Sequence, residues 1–283
     1  MKLLSFGEIL WDLYPNEKYI GGAPFNFAAH FAKHQEQVYM LSCLGMDELG
    51  DEAIVRLKEL GVSTDYVSRS AVKQTGRCLV TLDEDAVPSY DLISDVAYDH
   101  IPCDHIKEEF DALYFGTLAL RRKENLAALA GLLKEKSFRE IFVDVNIRPP
   151  FYCEQTVTFA IGHATLLKIS DEELPIIAEL LSIKNDKAFA KTLKQKYPNL
   201  KIILITCGSK GSYCYDGNRE YFCEAQKVRV ASTVGAGDSF SASFLYQFTQ
   251  KKDLQFCLEY ATKVAGYVVS QYEAVPDFEP GMK

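Results

Sequence analysis

Short apolar runs alternate along the chain with longer stretches in which apolar residues recur at helical spacing. Six runs have the length and composition of buried strands: Leu3–Phe6, Val38–Cys43, Ala112–Phe115, Ile141–Val145, Thr165–Ile169 and Ile202–Thr206. Helical patterns separate the later runs, over Asp47–Leu60, Lys123–Lys136, Asp171–Leu181 and Asp186–Tyr197. This alternation predicts an α/β fold of three layers, in which helices cover both faces of a doubly wound, mainly parallel sheet.

Two segments interrupt the alternation. Residues 12–20 form a short aromatic and polar run, and residues 63–97 lack a helical period, with strand-like alternation over Arg77–Asp83. We predict that these insertions build a small β-strand lid over the site. No linker, repeat or low-complexity tract divides the chain, so we expect residues 1–283 to form a single domain.

Composition and charge exclude several classes of partner. The 283 residues include 31 Lys and Arg against 39 Asp and Glu, a formal net charge of −8 that argues against nucleic acid or an anionic membrane. No stretch reaches the roughly 20 apolar residues of a membrane span. The eight cysteines form no Cys-x-x-Cys pair and most lie in apolar runs, so we expect reduced thiols in a cytoplasmic protein.

The most informative motif is Gly235-Ala236-Gly237-Asp238, which leads into a predicted amphipathic helix. Its glycines leave room for a ligand beside the unpaired N–H groups and positive dipole end of that helix, an arrangement that suits an anion. A carboxylate in the same place suits removal of a proton from an attacking hydroxyl. The combination predicts phosphoryl transfer to an alcohol, and a turn that needs glycine only for close packing is the alternative.

The residues after the first strand are polar and glycine-rich. Asp12 comes soon after this strand, and Gly21-Gly22 precedes Asn26 and a predicted helix over Phe27–Lys33. Because Asp12 accepts hydrogen bonds while the Asn26 amide can also donate them, the two side chains can hold hydroxyl groups in opposite senses. A tight turn with a polar cap is the simpler alternative.

Later strand ends carry similar patterns, and ligands of such folds bind at the carboxyl ends of strands. Asp144, Asn146 and Arg148 alternate after the fourth strand and should face one way, unless a strand-end salt bridge explains them. Ser170 or Asp171 is a good N-cap for the following helix. Thr206 precedes two glycines, as a nucleotide site needs, although a simple turn explains that segment equally well.

Two segments roughly 210 residues apart, Gly21-Gly22-Ala23-Pro24-Phe25-Asn26 and Thr233-Val234-Gly235-Ala236-Gly237-Asp238, resemble the signatures of the ribokinase-like (PfkB) carbohydrate kinases. The resemblance runs over almost the whole chain. It implies that Asp238 is the base that deprotonates the sugar hydroxyl attacking the γ-phosphate of ATP. It also implies that the amides of Gly235, Ala236 and Gly237 form the anion hole for the transferring phosphoryl group.

The same resemblance assigns the remaining site residues. The sugar would be held by Asp12, Gly21, Gly22, Asn26 and Arg148. The nucleotide would be held by Lys168, Ser170, Thr206, Gly208 and Gly211. Mg²⁺ would be bound mostly by phosphates and water, with Glu173 in the outer shell.

Two positions depart from the family pattern. Ser232 stands where the family usually has an aspartate that helps to bind a monovalent cation, and its neutral oxygen leaves K⁺ activation open. Ser170 stands where the family often has asparagine, from which we expect altered metal affinity rather than loss of activity.

Within the family, Phe6–Asp12, Tyr114–Ala119 and Asp144–Pro150 look most like fructokinases. The 6-hydroxyl of fructose would then lose its proton to Asp238, and the product would be fructose 6-phosphate. The alternatives are a 2-keto-3-deoxygluconate kinase, with Arg148 or Arg77 on the carboxylate, a ribokinase, and a binding protein that has lost catalysis. A homodimer through the lid is a further expectation.

Overall fold

The computed structural model describes residues 1–82 and 88–277, so Asp83 of the predicted lid strand lies outside the described residues. The strands in these ranges are β1 Lys2–Phe6, β2 Leu10–Leu13, β3 Lys18–Gly21, β4 Gln37–Gly45, β5 Val62–Ser63, β6 Val67–Ser70, β7 Gly76–Leu82, β8 Pro88–Leu92, β9 Ala112–Phe115, β10 Glu140–Asp144, β11 Leu166–Ser170, β12 Ile202–Thr206, β13 Ser212–Tyr215 and β14 Glu220–Cys223. The helices are α1 Ala23–Ala32, α2 Glu48–Glu59, α3 Lys123–Glu135, α4 Glu154–His163, α5 Leu174–Leu181, α6 Phe189–Lys196, α7 Ala236–Thr249 and α8 Leu254–Val269.

The main sheet has the strand order β14-β13-β12-β11-β10-β9-β1-β4-β5, and β6 pairs with the far end of β4. Every pairing from β12 to β5 is parallel, and only β13 and β14 run antiparallel at one edge. The predicted doubly wound, mainly parallel sheet is therefore confirmed.

Helices cover both faces of this sheet because successive residues of a strand point to opposite sides. Leu4 and Phe6 of β1 belong to a buried cluster that includes residues of α3, α4, α5 and α6. Leu3 belongs to a second cluster, with residues of α1, α2, α7 and α8. The two clusters are the interiors of a three-layer fold, as predicted.

A second sheet has the order β3-β2-β7-β8 and joins residues from both predicted insertions. The pairing of β2 with β7 is parallel, whereas β2 with β3 and β7 with β8 are antiparallel. The predicted insertion 63–97 divides between two sheets, since β5 and β6 pair with β4 in the main sheet instead. Whether the small sheet closes over the site as a lid stays a prediction.

None of the helices in residues 1–82 and 88–277 combines the length and the apolar character that crossing a membrane requires.

Candidate active site

The turn before α7 is shaped by one glycine in a left-handed conformation. Gly235 is the N-cap of α7 with φ 79°, a backbone region that side chains make costly. A Cβ atom at this position would lie 2.4 Å from the carbonyl oxygen of Ala274. His30 of α1 hydrogen-bonds the same oxygen at 2.8 Å. Gly235 is thus fixed by its backbone conformation and by the segment that packs against it.

The first turn of α7 presents N–H groups that have no acceptor within the helix. The Ala236 N–H lies 3.4 Å from the carbonyl oxygen of Thr233, which is long for a hydrogen bond. Ser239 donates to the carbonyl of Gly235 at 2.9 Å and so begins the regular helical pattern. The turn leaves the amides of residues 235–237 at the positive end of a 14-residue helix, where an anion is favoured.

Asp238 lies on this first turn, beside the Gly21–Asn26 segment that begins α1. Its Oδ2 accepts a hydrogen bond of 2.8 Å from the Asn26 side chain, which joins residues that are 212 positions apart. Burial and the negative charge of Asp144 raise the pKa of Asp238 to about 7, against the opposing effects of Asn26, Lys168 and Arg148. A carboxylate with a pKa near neutrality can accept a proton and release it again under physiological conditions.

Asn26 reaches Asp238 because α1 begins earlier than predicted. The helix starts at Ala23, with Gly22 as N-cap at φ 108° and Pro24 in the first turn, so Asn26 lies inside the helix instead of before Phe27. Its backbone N–H donates to the carbonyl of Gly22 at 2.9 Å. The helical geometry therefore holds the Asn26 side chain close to the Gly-Gly turn.

Asp12 meets the same turn through the pairing of β2 with β3. Leu10 lies opposite Gly21 in this ladder, and a Cβ on Gly21 would be 3.5 Å from Oδ2 of Asp12. Burial raises the pKa of Asp12, while the Cys78 thiol and the charge of Arg148 act in the opposite direction. The structure thus brings Asp12, Gly21, Gly22, Asn26 and Asp238 to one end of the main sheet.

The segment after β10 does not continue the alternation that the sequence suggested. The strand ends at Asp144, and Asn146 has φ 45°, so Asp144, Asn146 and Arg148 do not form one extended face. Arg148 is exposed, yet its charge lowers the pKa of both Asp12 and Asp238. Arg77, by contrast, lies 4.0 Å from Asp47, so Arg148 is the better placed of the two arginines.

Asp144 forms the strand-end ion pair that was the simpler interpretation of this segment. Its Oδ1 accepts a hydrogen bond of 3.1 Å from Nζ of Lys168, and its Oδ2 accepts one of 3.3 Å from Ser241 of α7. Burial lowers the pKa of Lys168, but the negative charges of Asp144 and Glu173 raise it by more. The Lys168 ammonium therefore stays protonated. A Cβ on Gly237 would lie 3.2 Å from Nζ, which places this cation next to the turn of α7.

The predicted nucleotide residues lie on two adjacent strand ends. Ser170 is directly opposite Thr206 in the parallel pairing of β11 with β12, and the Asp171 N–H donates to the Thr206 carbonyl at 2.8 Å. Gly208 has φ 53°, and a Cβ there would meet nothing within 4 Å. Gly211 is different, because a Cβ there would lie 2.2 Å from the Cys223 carbonyl oxygen. Gly211 is needed for packing against β14, whereas Gly208 borders open space.

Residues 5–280 match the model of the pfkB family carbohydrate kinases. The chain belongs to this family. Catalysis of phosphoryl transfer to a sugar is therefore its general activity, which confirms the broader part of the functional prediction.

Individual relatives of this carbohydrate kinase have different substrates. The chain is 26% identical to a 5-dehydro-2-deoxygluconokinase of Listeria monocytogenes over 91% of its own length and 82% of the relative's. It is 26% identical to the probable fructokinase-4 of Arabidopsis thaliana, over 86% and 81%. The structure of a fructokinase of Xylella fastidiosa with bound ATP superimposes with a TM-score of 0.85 at 22% identity, covering 97% of this chain and 94% of the other. At this low identity, the likeness to the Xylella structure shows a shared fold alone.

Glu173 is the acidic residue that the family resemblance assigns to Mg²⁺. Within the described parts of the chain, no group of three or more His, Cys, Asp or Glu side chains is arranged to bind a metal ion. The Glu173 carboxylate accepts hydrogen bonds from the backbone N–H groups of Ile147 at 2.6 Å and Ser170 at 2.7 Å. These bonds hold the Glu173 carboxylate in place, and its outer-shell role toward Mg²⁺ stays a prediction.

The bonds of Glu173 also correct the capping prediction. Helix α5 begins at Leu174, with Glu173 itself at the N-cap position, so neither Ser170 nor Asp171 caps it. The Glu173 carboxylate accepts from the Ser170 N–H, and a proline occupies the first turn of α5, where its missing N–H is not needed.

Ser232 uses its hydroxyl inside its own loop. The oxygen accepts a hydrogen bond of 3.2 Å from the Val234 N–H. Together with Asp12 and Val234, Ser232 borders a cavity of about 750 Å³ between the small sheet, α2 and the segment near Ala274. Its role toward a monovalent cation stays a prediction.

Sequence reasoning did not assign Glu8, which lies at the centre of the site. This residue follows β1 directly and is 2% exposed, and burial raises its pKa to about 7. The available signal was its position after the first strand, in the same short segment as Asp12. Its burial could not be inferred from the sequence, since Glu is rarely found inside a protein without a partner.

Proposed function

We propose that this chain transfers the γ-phosphoryl group of ATP to the primary hydroxyl of a ketohexose, converting fructose to fructose 6-phosphate. The observation that carries the proposal is the juxtaposition of Asp238 with Asn26 at the N-terminus of α7. This arrangement joins a base of near-neutral pKa to a site where an anion is favoured.

In this proposal, Asp238 accepts the proton of the sugar hydroxyl as the oxygen attacks phosphorus. The bond from phosphorus to the bridging oxygen of ADP breaks, and the proton remains on Asp238 until it passes to solvent. Asn26 donates to Asp238 and keeps the carboxylate aimed at the substrate. Asp12 and Asn26 orient other hydroxyl groups, and the Gly21-Gly22 turn lets the sugar approach the backbone.

The charge of the transferring phosphoryl group is stabilised by groups that are positive before the substrate binds. These are the amides of Gly235, Ala236 and Gly237 at the end of α7 and the ammonium of Lys168, which lies beside Gly237. Ser170, Thr206 and Gly208 border the space in which the nucleotide would bind. Mg²⁺ would supply further screening of the phosphate charges, with Glu173 in its outer shell.

Fructose is favoured as the acceptor by the resemblance of three segments to fructokinases and by the relative named probable fructokinase-4. The arrangement of Asp12 and Asn26 suits a polyol, because both side chains have acceptor oxygens for hydroxyl groups.

A keto sugar acid is the second candidate substrate. Arg148 is exposed, acts electrostatically on Asp12 and Asp238, and makes no ion pair within 4.0 Å in the part of the chain that the structure describes. A free guanidinium at this place suits a carboxylate, such as that of 2-keto-3-deoxygluconate or of the substrate named for the Listeria relative.

The test is to measure ADP release from MgATP with fructose, 2-keto-3-deoxygluconate, 5-dehydro-2-deoxygluconate and ribose in parallel. Asp238→Asn is measured beside the wild type, with Asp253→Asn as a matched control at the N-cap of α8. We expect turnover on fructose that falls about 10²- to 10⁴-fold in Asp238→Asn, with sugar binding retained and no change in the control.

Other outcomes assign the function differently. Turnover confined to a keto acid, and lost in Arg148→Ala, would keep the mechanism and change the substrate. Binding of sugar and ATP without turnover by the wild type would indicate a binding protein that has lost catalysis.

We also propose that the small sheet acts as a lid and that two lids pair in a homodimer. Exposed apolar side chains on this sheet, Tyr19, Leu79 and Tyr90, are 45%, 41% and 53% accessible and would be covered by a second copy. Light scattering should give twice the mass of the 283-residue chain, and a monomeric mass would contradict the dimer.

A further inference from the structure

Glu8 lies directly against the Gly-Gly turn of the proposed sugar site. A Cβ on Gly22 would be 2.5 Å from the carbonyl oxygen of Glu8 and 3.2 Å from its Cγ. The first part of the Glu8 side chain therefore runs along the turn. It enters the fold from β1, the same strand end from which the chain reaches Asp12.

Two acceptor oxygens at this place have no donor in the parts of the chain that the structure describes. Oε2 of Glu8 and Oδ1 of Asn26 are both buried, and neither has a hydrogen-bond partner among the described residues. The amide nitrogen of Asn26 is already used by Asp238. Burial of an unsatisfied acceptor is costly, so native structures normally satisfy such atoms with protein, water or ligand. A ligand that carries several O–H donors would satisfy both oxygens.

The carboxylates of the site share one cationic neighbour. The Arg148 guanidinium lowers the pKa of Glu8, as it does for Asp12 and Asp238, although burial raises each of the three overall. The geometry of the Gly21-Gly22 turn gives the firmer link, because Gly21 lies beside Asp12 and Gly22 lies beside Glu8. Glu8 therefore adjoins the same turn as Asp12, even though it precedes both glycine motifs in the sequence.

We propose that Glu8 binds the sugar, with Oε2 accepting a hydrogen bond from a hydroxyl other than the one that attacks phosphorus. The proposal rests on the proposed function as a sugar kinase and adds a residue that helps to select the sugar. The reacting hydroxyl is assigned to Asp238, so Glu8 would bind a hydroxyl that does not change in the reaction. An aldose or ketose with an O–H group at that position would be preferred over its deoxy analogue.

Glu8 also has structural partners, since hydrogen bonds from the backbone N–H groups of Ala23 and of Glu8 itself lower the pKa of its carboxyl. The Tyr98 hydroxyl and Nη1 of Arg121 are also buried without a hydrogen-bond partner among the described residues, and the charge of Arg121 acts on Glu8. Arg121 is otherwise held by Asp99 at 2.7 and 2.8 Å. An internal water that joined Glu8 to these two groups would stabilise the fold without reading the sugar.

The experiment measures sugar binding by the fluorescence of Trp11, the single tryptophan of the chain, which lies on β2 beside Asp12. The proteins are wild type, Glu8→Gln, Tyr98→Phe and Glu140→Gln. The last is a matched control, because Glu140 is also buried but lies at the other end of the sheet, paired with Lys201 at 2.9 Å. The ligands are the four sugars above and deoxy analogues of the one that binds best.

We expect Glu8→Gln to weaken binding of the preferred sugar about 10- to 100-fold, because a hydrogen bond to a charged group is lost. One deoxy analogue should bind wild type and Glu8→Gln with equal affinity, since it lacks the hydroxyl that would donate to Glu8. Tyr98→Phe and Glu140→Gln should bind the sugar as the wild type does. Thermal unfolding of all four proteins separates a loss of folding from a loss of affinity.

Two results would overturn the assignment. If Glu8→Gln binds every sugar and analogue like the wild type, with only a lower Tm shared by Tyr98→Phe, then Glu8 is structural and the kinase proposal still stands. If the wild type binds none of the sugars, both proposals fail together.

Discussion

Asp144 is buried and Asp238 is half-buried, and the two carboxylates have different partners in the site. Asp144, at the end of β10, is paired with the ammonium of Lys168 at 3.1 Å. Asp238, in the first turn of α7, accepts a hydrogen bond from the neutral amide of Asn26 at 2.8 Å. Burial raises the pKa of both, and for Asp238 the negative charge of Asp144 adds to the effect.

The difference in partner explains how two similar acids can have different tasks. A carboxylate that faces a cation keeps its charge and organises its surroundings, whereas one that faces an amide exchanges protons near neutral pH. Asp144 also raises the pKa of Asp238, so the structural acid helps to tune the proposed base. Four changes test this contrast, from the largest expected effect to the smallest.

Removing the cation should cost the most stability. Lys168→Met leaves Asp144 buried with only a hydrogen bond of 3.3 Å from Ser241, so we expect the free energy of unfolding at pH 8 to fall by about 3–5 kcal/mol. Urea unfolding followed by fluorescence measures this change. The double variant Lys168→Met/Asp144→Asn should recover most of the loss, because it buries no unpaired charge.

Lys201→Met is the control for this prediction. Lys201 pairs with Glu140 at 2.9 Å but is half exposed, so its removal should cost less than about 1 kcal/mol. Equal losses of unfolding free energy for the two lysine variants, or no recovery in the double variant, would show that Lys168 does not neutralise a buried charge on Asp144.

The position of Asp238 depends on the turn that begins α7, which makes Gly235 the next test. Gly235→Ala would place a Cβ 2.4 Å from the Ala274 carbonyl at φ 79°, so the turn must move. Displacing an anion-hole donor costs about 10²- to 10³-fold in kcat. Gly61→Ala is the matched control, because φ there is 75° but a Cβ would meet only the Cβ of Ala32, at 4.0 Å. Steady-state kinetics that reduce kcat equally in both variants would contradict the assignment.

A smaller effect is expected when the neutral partner of Asp238 is removed. The Asn26 amide stabilises the charged form of Asp238, so Asn26→Ala should raise the pKa of the base. Since catalysis requires the ionised carboxylate, kcat/KM should rise with pH through about 7 in the wild type. In the variant that rise should move to higher pH by about 1 unit.

The pH profile separates this effect from sugar binding, which Asn26→Ala should also weaken at every pH. Asn218→Ala, in the exposed β13–β14 turn, serves as the control and should leave the profile unchanged. A profile of Asn26→Ala that coincides with the wild type would mean that Asp238 is not the titrating base.

The sequence was sufficient to predict the six parallel strands at the centre of the main sheet, because buried parallel strands are continuous apolar runs. Ala112–Phe115 and Ile202–Thr206 were predicted with the bounds that the structure has, and the other four runs differ by one or two residues at their ends. The small sheet was harder. Its strands Leu10–Leu13 and Lys18–Gly21 are short and partly exposed, so residues 12–20 gave only an irregular pattern.

The site was predictable where a residue type has one plausible use and less so where packing decides. Gly235 and Asp238 stand out in the sequence by their order before a helix, and their roles stay predictions. The sequence could not distinguish Gly208, which borders open space, from Gly211, which packs on Cys223. The ion pair of Asp144 with Lys168 joins residues on two strands, and only the register of β10 with β11 brings them together.

The smallest expected effect is on the stability of the apoprotein. The pKa of Asp238 in the folded state, about 7, lies above the value of about 3.9 expected in the unfolded chain. The neutral form is therefore favoured by folding, and this contribution is complete below pH 4 and is lost as the pH rises through 7.

Asp238→Asn cannot ionise, so it should gain stability relative to the wild type between pH 5 and pH 8. Solvent screens part of this shift because Asp238 is only half-buried, so we expect a Tm that is higher by about 2–4 °C at pH 8, with a smaller difference at pH 5. Glu8 titrates in the same range but is present in both proteins, so its contribution cancels in the comparison. Asp253→Asn, which preserves the N-cap of α8, should leave the Tm nearly unchanged at either pH. Equal Tm differences for Asp238→Asn at both pH values would show that Asp238 folds as an anion, and the contrast with Asp144 would then have to come from position alone.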